Sequence, residues 1–369
     1  MRSVLASPLL LSSALAACVD GAGKAGGAGS GAGAQSAVES RTIDEIYKAA
    51  VAEGGQVVLW HGGDEVNQMD FIKDAFEKRF PDMKLNITVD LSKYHDGRID
   101  QQVAAKAPSQ VDSVYLQTVH DFPRWAKEGV LLDYAPLGYD QILPGFKDKS
   151  TASWYALEVL FWQNAWNTKK LPNANFNNFD EFLKPEYKDK LVLTYPNDDD
   201  AVLFAFDLIL QKKGNAWLDK LLAQNPTWVR GTATPFTLIA KEDSPLAATF
   251  TTAVGFANVT NIRTAFPNDA NFVSWGQRGG ILKNAPHPEG AKLLAAFMLT
   301  PEFQKEYGWS VRGDVPAPAG FPKITEMQNT DVFAFNSWME DRARVERLRF
   351  WYEDRIGTAQ GVSPLVDNV

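Results

Sequence analysis

Val57-Val58-Leu59-Trp60-His61-Gly62-Gly63-Asp64 is a short unbroken apolar run that stops at a glycine turn. Consecutive apolar residues without polar alternation mark a strand covered on both faces. After the turn, Val66, Met69, Ile72, Phe76 and Phe80 recur at helical spacing, and Pro81 closes the stretch. Residues 85–89 then read as the next strand. Strand, glycine turn, amphipathic helix and strand is the order that builds parallel α/β layers.

The same order continues on both sides. Upstream, Thr42-Ile43-Asp44-Glu45 is a capping box, and Ile43, Ile46, Tyr47, Ala50 and Val51 follow a helical period that Gly54-Gly55 stops. Downstream, residues 113–116 read as a strand followed by a helix that ends at Gly129. A second cycle places a strand at 191–195, a turn at 196–200 and a helix at 201–210. A third places a strand at Trp228-Val229, a turn at 230–232 and a helical stretch at 235–240. Val273-Ser274-Trp275 leads through Gly276, Gly279 and Gly280 to Ile281-Leu282. Helices follow at 290–299 and from Pro301, and a long helix lies within 331–355. No repeat period is evident.

The chain has 369 residues, 45% of them hydrophobic and 22% charged, which suits two domains of ordinary size. A net charge of -8 argues against nucleic acid and anionic membranes as partners, since phosphate rewards a basic face. The one cysteine, Cys18, excludes an intramolecular disulfide and a thiolate-based zinc site.

The first forty residues read as an address. Met1-Arg2 is a short positive start, and residues 4–17 are mostly small and apolar, about a signal h-region in length. Residues 1–17 are therefore predicted to be a signal peptide. Leu15-Ala16-Ala17-Cys18 resembles a bacterial lipobox, which makes Cys18 a lipidation candidate. Residues 18–40 read as a Gly/Ala-rich linker. Gly21-Ala22-Gly23-Lys24-Ala25-Gly26 matches G-x-G-x-x-G, but no strand precedes it and no helix follows it, so it is a spacer and not a nucleotide loop. The expected location is outside the cytoplasm: periplasmic or tethered through Cys18 in a bacterial host, secreted in a eukaryotic one. Asn86-Ile87-Thr88 and Asn258-Val259-Thr260 are N-glycosylation sequons that matter only in the second case.

Several segments, taken in order, resemble the extracellular solute-binding proteins of the type II periplasmic-binding fold. The closest likeness is to the ferric iron, thiamine and phosphonate receptors of ABC importers. The resemblance covers nearly all of residues 41–357. Its carriers are residues 57–63, Asp112-Ser113-Val114-Tyr115-Leu116-Gln117 with Glu128-Gly129-Val130-Leu131, and Trp154-Tyr155-Ala156 with Asn164-Ala165-Trp166-Asn167-Thr168. Ile281-Leu282-Lys283-Asn284-Ala285-Pro286-His287-Pro288-Glu289-Gly290-Ala291-Lys292 is the most specific, and Pro301-Glu302-Phe303-Gln304 follows it. The resemblance implies two Rossmann-like α/β lobes joined by a two-crossing hinge. Lobe one is placed at 41–160 and 270–369 with the C-terminal helices, and lobe two at 161–269.

Open α/β sheets bind ligands beyond the carboxyl ends of their strands. That rule selects the turns at 61–64, 117–119, 196–200 and 230–232, and the segment 275–278 near the return crossing. The candidate ligand-binding residues are therefore Trp60, His61, Gly62, Gly63, Gln117, Thr118, Trp162, Asp198, Asp199, Arg230, Thr232, Trp275, Gln277 and Arg278. Glycine amides can face an anion, arginine forks a carboxylate or phosphate, and tryptophan stacks on a ring or cation. Each has a structural alternative: a satisfied histidine, a helix cap for the Asp198-Asp199-Asp200 run, ion pairs for the arginines, core for the tryptophans.

The resemblance implies that a ferric receptor would carry an adjacent tyrosine pair late in lobe two. The sequence has no tyrosine between Tyr195 and Tyr307. The four histidines stand far apart with no H-x-x-H spacing, so no metal or cofactor is predicted. The acidic and aromatic balance favours an organic cation or heterocycle as ligand. The expectation is a non-enzymatic, monomeric receptor that captures a small ligand by hinge closure for the membrane subunits of an ABC importer. The alternatives are a secreted binding protein without a transporter and a secreted hydrolase or lyase built on a carboxylate pair such as Asp64 and Asp199. No G-x-S-x-G, H-E-x-x-H or P-loop occurs.

Overall fold

The computed structural model describes residues 37–306 and 308–366. The signal segment, Cys18 and most of the spacer lie outside the described residues. The last spacer residues do not: Val38 bridges Ala135, and Glu39 pairs with Arg41 at 2.7 Å.

In chain order the elements are α1 (Ile43–Glu53), β1 (Gln56–Gly62), α2 (Asp70–Arg79), β2 (Lys84–Asp90), α3 (Ser92–Ala105), β3 (Ser113–Leu116), α4 (Asp121–Glu128), β4 (Tyr155–Phe161), β5 (Asn164–Asn167), β6 (Val192–Thr194), α5 (Asp200–Lys213), α6 (Asn215–Ala223) and β7 (Thr227–Val229). They continue as α7 (Thr234–Ala240), β8 (Ala248–Thr249), β9 (Ile262–Ala265), β10 (Ser274–Ile281), α8 (Pro288–Met298), α9 (Pro301–Glu306), α10 (Ala334–Glu340) and α11 (Arg342–Ile356). The capping box at Thr42 forms as read, with Glu45 N donating to the Thr42 hydroxyl and the Glu45 carboxylate receiving Thr42 N.

The first lobe is a five-stranded sheet in the order β2-β1-β3-β10-β4. β1 runs parallel to both β2 and β3, whereas β10 is antiparallel to β3 and to β4. The sheet is thus mixed, and its antiparallel half is where the chain leaves and re-enters. Along β1, Val57 and Leu59 face one core with α1, α2 and α8, while Trp60 enters a second core with Val114, Leu116, Phe122 and Trp125. This alternation explains the unbroken apolar run: both faces of β1 are covered.

The second lobe is built on the antiparallel sheet β8-β5-β9 and the parallel pair β6-β7, which a bridge from Leu191 to Ala248 links. Two crossings connect the lobes. One runs from β4 through Trp162 and Gln163 into β5, and the other returns from β9 to β10.

The long helix expected within 331–355 is broken. Asp341 leaves helical geometry at φ -82°, ψ 67°, and its carboxylate accepts from Arg344 N at 3.1 Å to start α11. The sequence reading grouped these C-terminal helices with lobe one. Their apolar side chains Phe335, Trp338, Met339, Val345 and Tyr352 pack in one core cluster with α5, and Phe335 also meets Trp275 of β10 with ring centroids 5.6 Å apart. Local periodicity marks that stripe as buried but does not name its partner.

Candidate functional site

The carboxyl ends of β1, β2 and β3 and the loops after β6 and β7 converge on one cleft, as the strand-end rule requires. It encloses about 110 Å³ and is lined from both lobes. Of the candidates read from sequence, Gly62, Gly63, Gln117, Thr118, Trp162, Asp198, Asp199, Thr232, Trp275 and Gln277 line it. Gly62 is needed as glycine: a Cβ there would lie 2.1 Å from Ser92 Oγ, which accepts from Gln117 N at 2.9 Å. The tight approach of β1 to the start of α3 closes the floor of the cleft.

Four candidates do not line it. Trp60 belongs to the core beneath and stacks on His95 at 5.0 Å between centroids. His61 is fully buried, with Nδ1 at 2.8 Å from the Gly62 carbonyl and Nε2 at 2.8 Å from Glu158 Oε1. Arg278 is buried over the Trp154 ring, 3.9 Å from its centroid, and donates to the Val119 carbonyl at 2.5 Å. Burial pushes that guanidinium down to about 10. Arg230 is not among the lining residues and gives its Nε to Asp198 Oδ2 at 2.8 Å. Each is claimed by a partner remote in sequence, which local reading does not reveal. Nor is the Gly63 amide free for an anion, since it donates to the Asp90 carbonyl at 3.0 Å.

The aspartate run divides by role. Asp198 receives Lys93 Nζ at 2.7 Å from across the cleft as well as Arg230. Burial works against its ionisation, but Arg230 and Lys93 outweigh it and hold the carboxyl below its usual range. Asp200 is taken by Arg349 Nη2 at 2.5 Å. Asp199 caps α5, accepting from Val202 N at 2.9 Å, and has no ion pair among the described residues. Burial, helped by the nearby charges of Asp64 and Asp200, pushes Asp199 up to about 7.

Two further donors are unsatisfied. Trp275 is 2% exposed and Thr118 4%, yet Trp275 Nε1 and Thr118 Oγ1 have no hydrogen-bond partner. Buried polar groups are ordinarily paired. Trp166 Nε1 and Trp217 Nε1 in the second core are equally unpartnered, and what distinguishes Trp275 and Thr118 is that their residues line the cleft. The Trp162 and Trp275 rings meet edge to face with centroids 5.9 Å apart.

Sequence reasoning missed Gln68, Ser92, Lys93 and Arg349, which also line the cleft. Ser92 and Lys93 follow the carboxyl end of β2, so the rule applied to the other strands would have found them. Arg349 comes from α11 and carries no local signal. Three ties cross the cleft: Lys93 to Asp198, Arg230 Nη2 to Tyr94 Oη at 3.2 Å, and Asp64 to Thr232 at 2.7 Å. Among the described residues no group of three or more His, Cys, Asp or Glu is placed to hold a metal ion, and no helix is long and apolar enough to cross a membrane.

The fold is shared with solved binding proteins. The iron-bound HitA from Pseudomonas aeruginosa aligns at TM-score 0.61 and 16% identity over 80% of this chain and 99% of that one. AfuA from Actinobacillus pleuropneumoniae, solved with fructose-6-phosphate, aligns at TM-score 0.65 and 18% identity over 83% and 100%. The substrate-binding protein of an ABC transporter from Agrobacterium tumefaciens aligns at TM-score 0.69 and 13% identity over 82% and 94%. A search of curated proteins found no match. Residues 72–334, from α2 to the start of α10, match the family described as bacterial extracellular solute-binding protein. This chain therefore belongs to the bacterial extracellular solute-binding protein family, whose fold its two lobes and two crossings reproduce.

Proposed function

We propose that this protein is an exported receptor that captures one small organic solute in the interlobe cleft by hinge closure and hands it to the membrane subunits of an ABC importer. The observation that carries this reading is the pair of buried, unpartnered donors, Trp275 Nε1 and Thr118 Oγ1, lining a cleft whose walls come from two lobes. The lobes divide at the crossings after β4 and before β10, with α10 and α11 moving with lobe two. The receptor acts as a monomer. Residues 1–17 direct export, and Cys18 is the tethering residue if the host is bacterial.

The ligand proposed is an organic cation or heterocycle. Asp64 and Asp199 are the cleft carboxylates without an ion pair among the described residues, Asp64 is already held by Thr232 and Ala233, and beside Asp199 the two indole rings offer apolar and edge contacts. No tyrosine is among the lining residues, and Tyr94, whose Oη accepts from Arg230 across the cleft, stands without a second tyrosine beside it among the described residues, so the adjacent pair of a ferric site is not formed there. The carboxylate-pair enzyme reading is weaker, because Asp64 already accepts from Thr232 N, Thr232 Oγ1 and Ala233 N. A binding protein without a transporter would use the same cleft.

Native mass spectrometry of the purified protein is the test. A retained organic adduct of low mass that Trp275→Phe weakens supports the reading. Ferric iron in its place, or an adduct indifferent to Trp275, overturns it.

A further inference from the structure

The chain continues past α11 and brings Pro364 against Gly231, which lines this cleft. At the end of α11 the Gly357 carbonyl accepts from Asn197 Nδ2 at 3.0 Å, and Asn197 belongs to the second lobe's loop between β6 and α5. Further on, Val366 N donates to the Ser363 carbonyl at 3.0 Å and closes a turn. That turn points Pro364 and Leu365 inward. Pro364 is buried, and Leu365 packs against the core of the first lobe.

The position of Pro364 is fixed by Gly231. A Cβ added to Gly231 would lie 2.6 Å from Pro364 Cβ and 3.3 Å from Asp64 Cγ. Gly231 also has φ 76°, which favours glycine twice over. Gly231 and Asp64 line opposite walls of the cleft, so Pro364 sits on the seam between the lobes. The segment is anchored to lobe two at Asn197 and Gly231 and to lobe one through Leu365. It thus spans the joint that must open for a solute to enter.

We propose that residues 357–366 form a strap that gates the cleft. Docked, it covers the seam beside Asp64 and Thr232 and holds the lobes together. Undocked, it frees them to part. A short segment held by a few contacts opens locally without global unfolding, as a gate requires. The proposal rests on the cleft being the solute site, but its test uses no solute.

The test is thiol accessibility. Thr118→Cys, in a Cys18→Ser background, places a thiol on the cleft wall, and N-ethylmaleimide is the probe. Labelling is compared between the full chain, the same chain carrying Pro364→Gly and Leu365→Ser, and a chain ended after Gly357. Releasing the strap should speed labelling at least tenfold while leaving a Ser337→Cys control on exposed α10 unchanged. Equal rates at Thr118 in all three chains overturn the strap. Hydrogen exchange on the unmodified protein keeps the question open to refutation if a variant misfolds. The Thr232 and Ala233 amides should become exchangeable together with the Leu365 and Val366 amides, which the Ser363 turn holds, and protection at Thr232 that outlasts the strap's own overturns the proposal. Native mass spectrometry decides separately whether the cleft holds a solute.

Discussion

Asp64 and Thr232 face each other across the cleft, and Thr232 gives both its backbone N–H, at 2.7 Å, and its hydroxyl, at 2.8 Å, to the same oxygen, Asp64 Oδ2. Ala233 N adds a third, longer contact at 3.3 Å. The turn after β1 in one lobe is thereby latched to the turn after β7 in the other. Hydrogen bonds to a charged acceptor contribute about 1.5–3 kcal/mol each, less where water competes.

Asp64→Ala should therefore shift the closed form towards the open one by roughly tenfold or more, since about 1.4 kcal/mol is a factor of ten. Small-angle scattering of the solute-free variant should give a larger radius of gyration than the parent. Asp64→Asn keeps one acceptor oxygen and should fall between them. Identical scattering from parent and Asp64→Ala would show that the latch does not hold the lobes.

Asp199 makes a prediction about pH. Its carboxyl is pushed up to about 7 from 3.8 by burial and by the charges of Asp64 and Asp200. The folded state then holds a proton that the unfolded chain has released, so between about pH 4 and 7 stability falls as pH rises. Asp96, pushed up to about 7 by burial and by Asp121, adds a slope of the same sign, so the comparison of variants is diagnostic and the parent curve alone is not. Asp199→Asn keeps the cap on α5 but has no proton to lose. Its melting temperature should decline less than the parent's between pH 4 and 7. Parallel curves would mean that Asp199 ionises as a solvated carboxylate does.

The tryptophans separate into a core role and a cleft role. Trp60 packs under β1 against His95, so Trp60→Ala should cost about 3–5 kcal/mol of stability, the usual range for losing a buried large aromatic. Trp275→Phe keeps most of the apolar volume and removes a donor that has no protein partner. It should leave the melting temperature within a few degrees of the parent while lowering retention of the bound solute. A Trp60 variant that lost solute at full stability would reverse these assignments.

What was legible in the sequence follows the range of the interactions involved. β1 and its turn could be read because an unbroken apolar run and a glycine pair are local signals, and the strand-end rule then brought Thr118, Asp199 and Thr232 to one cleft. The antiparallel course of β10 could not be read, since register with β3 and β4 is set by pairing far along the chain. His61, Arg230 and Arg278 looked available for the same reason: Glu158, Asp198 and the Val119 carbonyl are close in space and not in sequence. Lys93 was within reach of the strand-end rule, since α3 starts two residues after β2, but α3 carries little apolar patterning to mark that start, with only His95 and Ile99 buried along its length.

The packing of α10 and α11 against α5 rests on polar as well as apolar contacts, and Asp207 is the polar centre. Its Oδ2 accepts from Trp338 Nε1 at 2.8 Å, from Arg344 Nη2 at 2.7 Å and from Gln211 Nε2 at 3.1 Å. Trp338 is buried, so Asp207→Ala strands its N–H without water, whereas Arg344 is 43% exposed and can rehydrate. Most of the loss should thus come from the indole and the packing around it, about 2–3 kcal/mol. Asp207→Asn keeps an acceptor for Trp338 and forfeits only the partly screened ion pair, about 1 kcal/mol or less. Urea unfolding midpoints should rank parent, Asp207→Asn and Asp207→Ala in descending order at equal slope. A reduced slope for Asp207→Ala would mean that the C-terminal helices had detached before the rest of the lobe unfolds. No shift of the midpoint in Asp207→Ala would mean that the apolar stripe from Phe335 to Tyr352 anchors them unaided.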